Sequence, residues 1–258
     1  MTVPVLDTSK IAPTHLSAID AQWLDTQRHD KKFLMDLQDI QSFIDAHFQV
    51  LEVLSIDSLT SFRYVTEYYD TPEYLLYRDH YMRRRRRIKV RIRHYTDSGL
   101  SQCEVKARRG NSLTRKFILG NSTELGETEH QFISDTLQDL KLADRLAPSI
   151  AQLVHVATTT FDRITLNRTD VNEKITIDLN FVVSTDENSL SGSKDLALVE
   201  VKSITKRTRT RTEFAKLGVF PIGFSKYASV IEMLISERPR VNSRRALKYA
   251  FGLTSAQQ

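Results

Sequence analysis

The sequence predicts an α+β fold in which an antiparallel sheet curls into a barrel, its charged face turned inward and helices covering its apolar outside. Three observations carry that prediction. Four segments alternate apolar and charged residues with period two, and others space apolar residues at helical intervals. No stretch approaches the roughly 18 consecutive apolar residues a membrane helix needs. A chain of 258 residues, 40% hydrophobic and 27% charged, has enough apolar surface for a domain core, which excludes a disordered or fibrous protein.

In chain order, residues 1–22 carry Pro4 and Pro13 without periodicity and are expected to form a poorly ordered lead-in. Phe33, Leu34, Leu37, Ile40, Phe43, Ile44 and Phe48 predict an amphipathic helix over Lys31–Phe48. A strand over Phe62–Tyr69 stops at Asp70-Thr71-Pro72. Ile88, Val90 and Ile92 alternate with Lys89, Arg91 and Arg93; beyond the turn Asp97-Ser98-Gly99, Cys103 and Val105 alternate with Glu104, Lys106 and Arg108. That pattern is a hairpin with one apolar and one charged face. Leu113–Leu119 is a further strand, and Phe132, Ile133, Leu137, Leu140 and Leu142 predict one helix over Glu127–Leu146. Ile175, Ile177 and Leu179 alternate with Lys174, Thr176, Asp178 and Asn180, as Val199 and Val201 do with Glu200 and Lys202. Asp186–Asp195 is a polar loop, Lys206–Arg211 a basic one, and Ser225–Ile235 a closing helix limited by Pro239. The whole is expected to be one domain over residues 23–240, with 241–258 as a tail.

Charge is unevenly placed. Between Arg83 and Lys116 stand 13 Lys or Arg against two acids, a local charge of +11, while the rest of the chain carries −6. Such a field points to a polyanionic partner: nucleic acid, a phospholipid surface or a phosphate-rich small molecule. The single cysteine, Cys103, excludes an internal disulfide framework, and the N-terminus lacks a secretory pattern, so a soluble cytoplasmic protein is expected.

Solvent-facing strand residues usually mix charges, whereas Lys89, Arg91 and Arg93 stand in a row and repel one another unless an anion lies between them. Curling the sheet places them around one polyanion. Glu104, Asp178 and Glu200 share faces with Lys or Arg, the combination that a phosphate chain bound with a divalent metal requires. The histidines show no metal-ligand spacing, and Trp23 and the tyrosines of residues 64–77 fit core or rim packing better than base stacking.

A family resemblance rests on an ordered series: Arg28-His29-Asp30-Lys31-Lys32-Phe33, Tyr68-Tyr69-Asp70-Thr71-Pro72, Leu76-Tyr77-Arg78-Asp79-His80, Lys89-Val90-Arg91-Ile92-Arg93, Asp97-Ser98-Gly99-Leu100, Glu104-Val105-Lys106, Ile177-Asp178-Leu179, Val199-Glu200-Val201-Lys202 and Gly223-Phe224-Ser225-Lys226-Tyr227. From about Arg28 to Met233 the chain resembles bacterial VTC-domain proteins, the polyphosphate-polymerase branch of the triphosphate tunnel metalloenzymes, a CYTH-like superfamily. The resemblance implies a closed barrel of about eight antiparallel strands. It also implies an ATP:polyphosphate phosphotransferase that passes the γ-phosphate of ATP to a growing polyphosphate chain with Mn2+ or Mg2+. Under it Arg91, Arg93, Lys106, Lys116, Arg163 and Lys174 are tunnel cations, and Lys32 is the N-terminal tunnel lysine. Lys89 and Lys202 extend the substrate-binding set, and Ser225 and Lys226 are closing contacts from the last helix. Glu200 is the principal metal ligand, with Asp178 and Glu104 beside it.

The Glu-x-Glu-x-Lys motif of the cyclase and thiamine-triphosphatase branch is absent, since Asp30-Lys31-Lys32 stands there. A triphosphatase that admits water is the runner-up, and a non-catalytic module binding polyphosphate or RNA is the alternative from another class. No specific nucleic acid is expected as partner. A membrane-protein partner outside the chain is left open, and oligomeric state is not set by the sequence. For Arg83–Arg87 three readings stand: tunnel-mouth funnel, nucleic-acid patch or solvated edge. The basic loop at Lys206–Arg211 is either an exit guide or a helix approach.

Overall fold

A computed structural model of the chain describes residues 6–20, 29–109 and 113–235. Its elements are β1 (Ala12–Thr14), α1 (Leu16–Asp20), β2 (His29–Asp36), α2 (Leu37–His47), β3 (Leu51–Leu54), β4 (Ser61–Asp70), α3 (Leu75–Tyr81), β5 (Arg86–Tyr95), β6 (Leu100–Arg109), β7 (Leu113–Gly120), α4 (Glu127–Asp139), α5 (Ala143–Ile150), β8 (Val154–Arg168), β9 (Glu173–Ser184), β10 (Ser189–Ser191), β11 (Leu196–Ser203), α6 (Arg209–Lys216) and α7 (Lys226–Leu234). Eight strands follow one another in the order β2-β11-β9-β8-β4-β5-β6-β7, every neighbouring pair antiparallel. The fold is therefore α+β with the expected antiparallel curl and external helices. Hydrogen bonds do not close it: among the described residues β2 and β7 form no pair. At β2 the segment before α7 adds a backbone pairing of its own, the Ile222 N–H donating to the Lys32 carbonyl at 2.8 Å.

The apolar outside is covered as the alternation requires. Ile88, Val90 and Ile92 of β5 and Cys103, Val105 and Ala107 of β6 pack against Ile133 and Leu137 of α4 and Leu146 of α5. Ile40, Phe43 and Ile44 of α2 pack on Phe33, Ile175, Ile177, Val199 and Val201. Each Val, Leu, Ile or Phe side chain among them contributes about 1.5–3 kcal/mol on burial. Among the described residues no helix is long and apolar enough to cross a membrane.

Several expectations are corrected. The helix over Lys31–Phe48 begins only at Leu37, because the preceding residues pair with β11 from His29 to Asp36 and alternate Phe33 and Met35 outward against Lys32 and Leu34. The apolar spacing of residues 33–37 satisfies both periods, and pairing decides between them. The helix over Glu127–Leu146 is two helices, broken at Lys141, whose φ is 55°. The lead-in is ordered within the described residues: β1 pairs in parallel with β3, and Leu6, Ile11 and Ile19 are buried. The basic loop turns into α6 at the N-cap Thr208, whose hydroxyl accepts from the Arg211 N–H. The tail 241–258 and Pro239 lie outside the described residues.

Candidate functional site

Side chains alternate across a strand, so the residues of β5 that do not enter the outer core, Lys89, Arg91 and Arg93, turn inward. The register extends that charged face around the curl. Lys89 stands opposite Lys106, which stands opposite Lys116; Arg91 is opposite Glu104. On the other half Lys32 faces Glu200, Asp178 lies between Arg163 and Leu198, and Lys202 lies between Asp30 and Lys174. The sequence-predicted strand residues thus share one face, and α7 adds Ser225 and Lys226 at one end of it.

Two carboxylates on this face are consumed by arginines. Glu104, fully buried, accepts from Arg91 Nε at 2.6 Å and from its Nη2, and lies 3.4 Å from Lys116 Nζ. Asp178 accepts from Arg163 through Nε at 2.6 Å and Nη2 at 2.9 Å, and also from Lys226 Nζ. Such forked pairs fix a guanidinium in plane and aim. Glu200 is held more loosely, 3.3 Å from Lys202 Nζ. Arg93 donates to Thr66 Oγ1 at 3.2 Å, and its guanidinium lies 5.5 Å from the Tyr64 ring, which Arg163 approaches at 5.0 Å.

The cations on this face outnumber its acids, and the lysines show the strain. Burial first, then Lys32, Lys106 and Arg91, push the Lys89 ammonium well below the usual lysine range. Burial takes Lys106 down to about 8 despite Glu200, and Lys226 down to about 7 despite Asp178. Burial lowers Lys116 and Lys202 as well. For the acids burial acts upward and is outweighed: Arg163 and Lys226 hold Asp178 at about 2, and surrounding cations hold Glu104 and Glu200 well below the carboxylate range. A face of this kind is an anion site by charge balance.

One end is crossed by residues 222–227. Lys32 Nζ donates to the Phe224 carbonyl at 3.0 Å, and Lys89 Nζ donates to Ser225 Oγ at 2.7 Å. Tyr227 donates to the buried Asp70, which also accepts the backbone N–H groups of Thr71, Leu76 and Tyr77. The sequence reading missed Asp70, Tyr227, Tyr64, Thr66 and Phe161, whose ring lies 4.5 Å from Lys226 Nζ. The period-two series Tyr64, Thr66, Tyr68 carried the signal for β4's share of the face; nothing local in the sequence paired Asp70 with Tyr227.

Among the described residues no three His, Cys, Asp or Glu side chains gather into a metal cage. A small divalent cation held by one or two carboxylates plus substrate phosphates needs no such cage. Glu200, with one long ion-pair contact among the described residues and Lys32, Lys106 and Lys226 nearby, fits that donor role. Glu104 and Asp178 do not, because Arg163 takes both oxygens of Asp178, while Arg91 takes Oε2 of Glu104 and Lys116 Nζ lies 3.4 Å from its Oε1.

Comparison with solved structures finds a Bacillus halodurans protein described as a candidate adenylate cyclase, 13% identical, with a TM-score of 0.52 over 82% of this chain and 100% of that one. A Hippeastrum protein described as a candidate adenylyl cyclase with a dominant triphosphatase activity is 14% identical, with a TM-score of 0.46 over 78% of this chain and 93% of that one. The first likeness supports the fold alone. No curated protein matches the sequence. The VTC domain model matches residues 27–235, most of the chain, and the protein therefore belongs to the VTC domain family.

Proposed function

We propose that the charged face binds the triphosphate of ATP and passes its γ-phosphoryl group to the end of a polyphosphate chain. The observation that carries this reading is the excess of inward cations fixed by forked ion pairs: Arg91 on Glu104 and Arg163 on Asp178. Phosphoryl transfer through a loose transition state is catalysed chiefly by alignment and fixed positive charge, which these guanidinium groups supply. Lys32, Lys89, Arg93, Lys106, Lys116, Lys174, Lys202, Ser225 and Lys226 complete the substrate contacts in this reading. Glu200 holds Mn2+ or Mg2+, which when bound neutralises phosphate charge as a Lewis acid. Glu104 and Asp178, proposed from sequence as metal ligands, act instead as anchors for Arg91, Arg163 and Lys226.

The preference for a phosphate acceptor over water rests on the carboxylates. A hydrolase gains from a general base, yet arginine or lysine partners hold Glu104, Asp178 and Glu200 in weakly basic states. A terminal phosphate oxygen is already ionised and needs no such base. The test is incubation of the protein with ATP and Mn2+, with and without a polyphosphate primer, resolved by gel and phosphorus NMR. Chains with ADP, lost in Arg91→Ala and Glu200→Gln, are expected. Free phosphate without chains makes it a triphosphatase, and binding without turnover makes it a polyanion-binding module.

A further inference from the structure

The arginine run just upstream of β5 is not absorbed by the site. Arg84 is used within the fold: its Nε pairs with the buried Asp79 at 3.0 Å, and its backbone N–H donates to the Asp79 carbonyl at 3.0 Å. Arg145 donates to the same carboxylate at 2.6 Å and to the Arg86 carbonyl at 2.9 Å, and Arg87 donates to the Arg84 carbonyl at 2.6 Å. The backbone of the run is therefore pinned from several sides. Arg83, Arg85 and Arg86 are exposed and have no side-chain partner among the described residues.

This pinned cluster is continuous with the charged face. Arg87 stands opposite Arg108 in the same register that sets Lys89 opposite Lys106, and the Arg87 charge is one of those that depress Lys89. Alternate strand residues lie roughly 7 Å apart, so Lys89 and Arg87 continue the row of Arg93 and Arg91 to the start of the strand, and Arg85 and Arg83 stand in the turn just before it. A triphosphate is shorter than this row. Arginine forks suit phosphate oxygens, and a run held rigid by Asp79 loses little side-chain freedom of its anchor on binding.

We propose that Arg83 and Arg85 form a landing for inorganic polyphosphate extending beyond the triphosphate segment, so that this surface selects long chains over short ones. The inference rests on the reading of the inner face as a phosphate-chain site. Continuity with Arg87 and Lys89 favours a phosphate chain over a lipid surface or RNA.

The test compares wild type, Arg83→Gln/Arg85→Gln, and a control of equal charge change, Lys206→Gln/Arg207→Gln, whose residues are exposed at the other basic segment. Titration calorimetry with tripolyphosphate and with long-chain polyphosphate is run at two salt concentrations, thermal unfolding having first shown that each variant folds. The arginine variant is expected to keep its tripolyphosphate affinity, lose about tenfold or more for the long chain, and show a long-chain salt dependence shallower by roughly one to two in log–log slope. The control is expected to follow wild type for both. Equal losses for both ligands, no loss for either, or the same long-chain loss in the control overturns the proposal. So does a variant that keeps long-chain binding while losing RNA or phosphatidylserine vesicles. Failure of wild type to bind tripolyphosphate at all is a different result, which overturns the underlying reading of the inner face.

Discussion

Lys89 Nζ donates a 2.7 Å hydrogen bond to Ser225 Oγ, joining the charged row of β5 to the N-cap of α7 across 136 positions of sequence. The same hydroxyl accepts from the Ala228 N–H at 3.4 Å, so one oxygen caps the helix and partners a buried ammonium. Phe224 and Ser225 thus tie β2 and β5 together at one end of the curled sheet.

Removing that oxygen has two effects. Ser225→Ala is expected to destabilise the protein by about 1 kcal/mol, the usual loss for an N-cap, which in a chain of this size lowers Tm by roughly 2–4 °C. Tripolyphosphate affinity is expected to fall as well, and to fall further in Lys89→Ala, because a positive charge is lost. Thermal unfolding and calorimetry check both. An unchanged Tm contradicts the capping role.

The Arg91–Glu104 pair predicts strong non-additivity. Glu104→Ala strands a buried guanidinium and is expected to cost about 3–5 kcal/mol, whereas the double variant Arg91→Ala/Glu104→Ala removes both charges and costs less than the sum. Denaturant unfolding of the four proteins of the cycle measures the coupling. Additive losses contradict the anchor role assigned to Glu104.

Stability in the absence of ligand is expected to depend on pH in two windows. Lys226 and Lys106 are depressed to about 7 and about 8 in the folded chain, against about 10.4 unfolded. Between those values the unfolded chain binds more protons, so stability rises with pH from about 7 toward 10. On the acid side, Asp178 at about 2 titrates below its ordinary value of about 3.9. Its contribution is present above the unfolded value and lost as pH falls toward 2. Thermal unfolding across pH reads both. A Tm that falls from pH 7 to 9 without ligand contradicts the crowding of cations on the inner face.

Glu200→Gln separates binding from metal use. With the carboxylate gone and Lys32, Lys106 and Lys202 retained, tripolyphosphate binding in chelator is expected to persist or tighten. The strengthening of binding by Mn2+ is expected to disappear. Retention of the full Mn2+ effect moves the metal to other residues.

Much of this site was legible because period-two alternation fixes which strand residues share a face. Arg91, Arg93, Lys106, Glu104, Asp178 and Glu200 were grouped on that basis and from the family series, and the register unites them. Alternation cannot say which carboxylate meets which cation. That left Glu104 and Asp178 indistinguishable from Glu200 as ligand candidates until Arg91 and Arg163 were seen to hold them. The long strand β8 escaped notice because its run of threonines, residues 158–160, and its polar inward residues leave few apolar positions to count. The break at Lys141 has no glycine or proline to announce it, and Asp70 meets Tyr227 only through tertiary packing.

The measurement that tests the central claim most directly is calorimetric titration of the protein with tripolyphosphate near pH 8, in two buffers of different ionisation enthalpy. Lys106 at about 8 and Lys226 at about 7 are partly neutral there. A phosphate chain seated among them raises both toward the ordinary lysine value, so binding is predicted to take up protons from the buffer, and to do so less in Lys106→Met. Tight binding without proton uptake, or no binding, contradicts a triphosphate site on the inner face of the sheet.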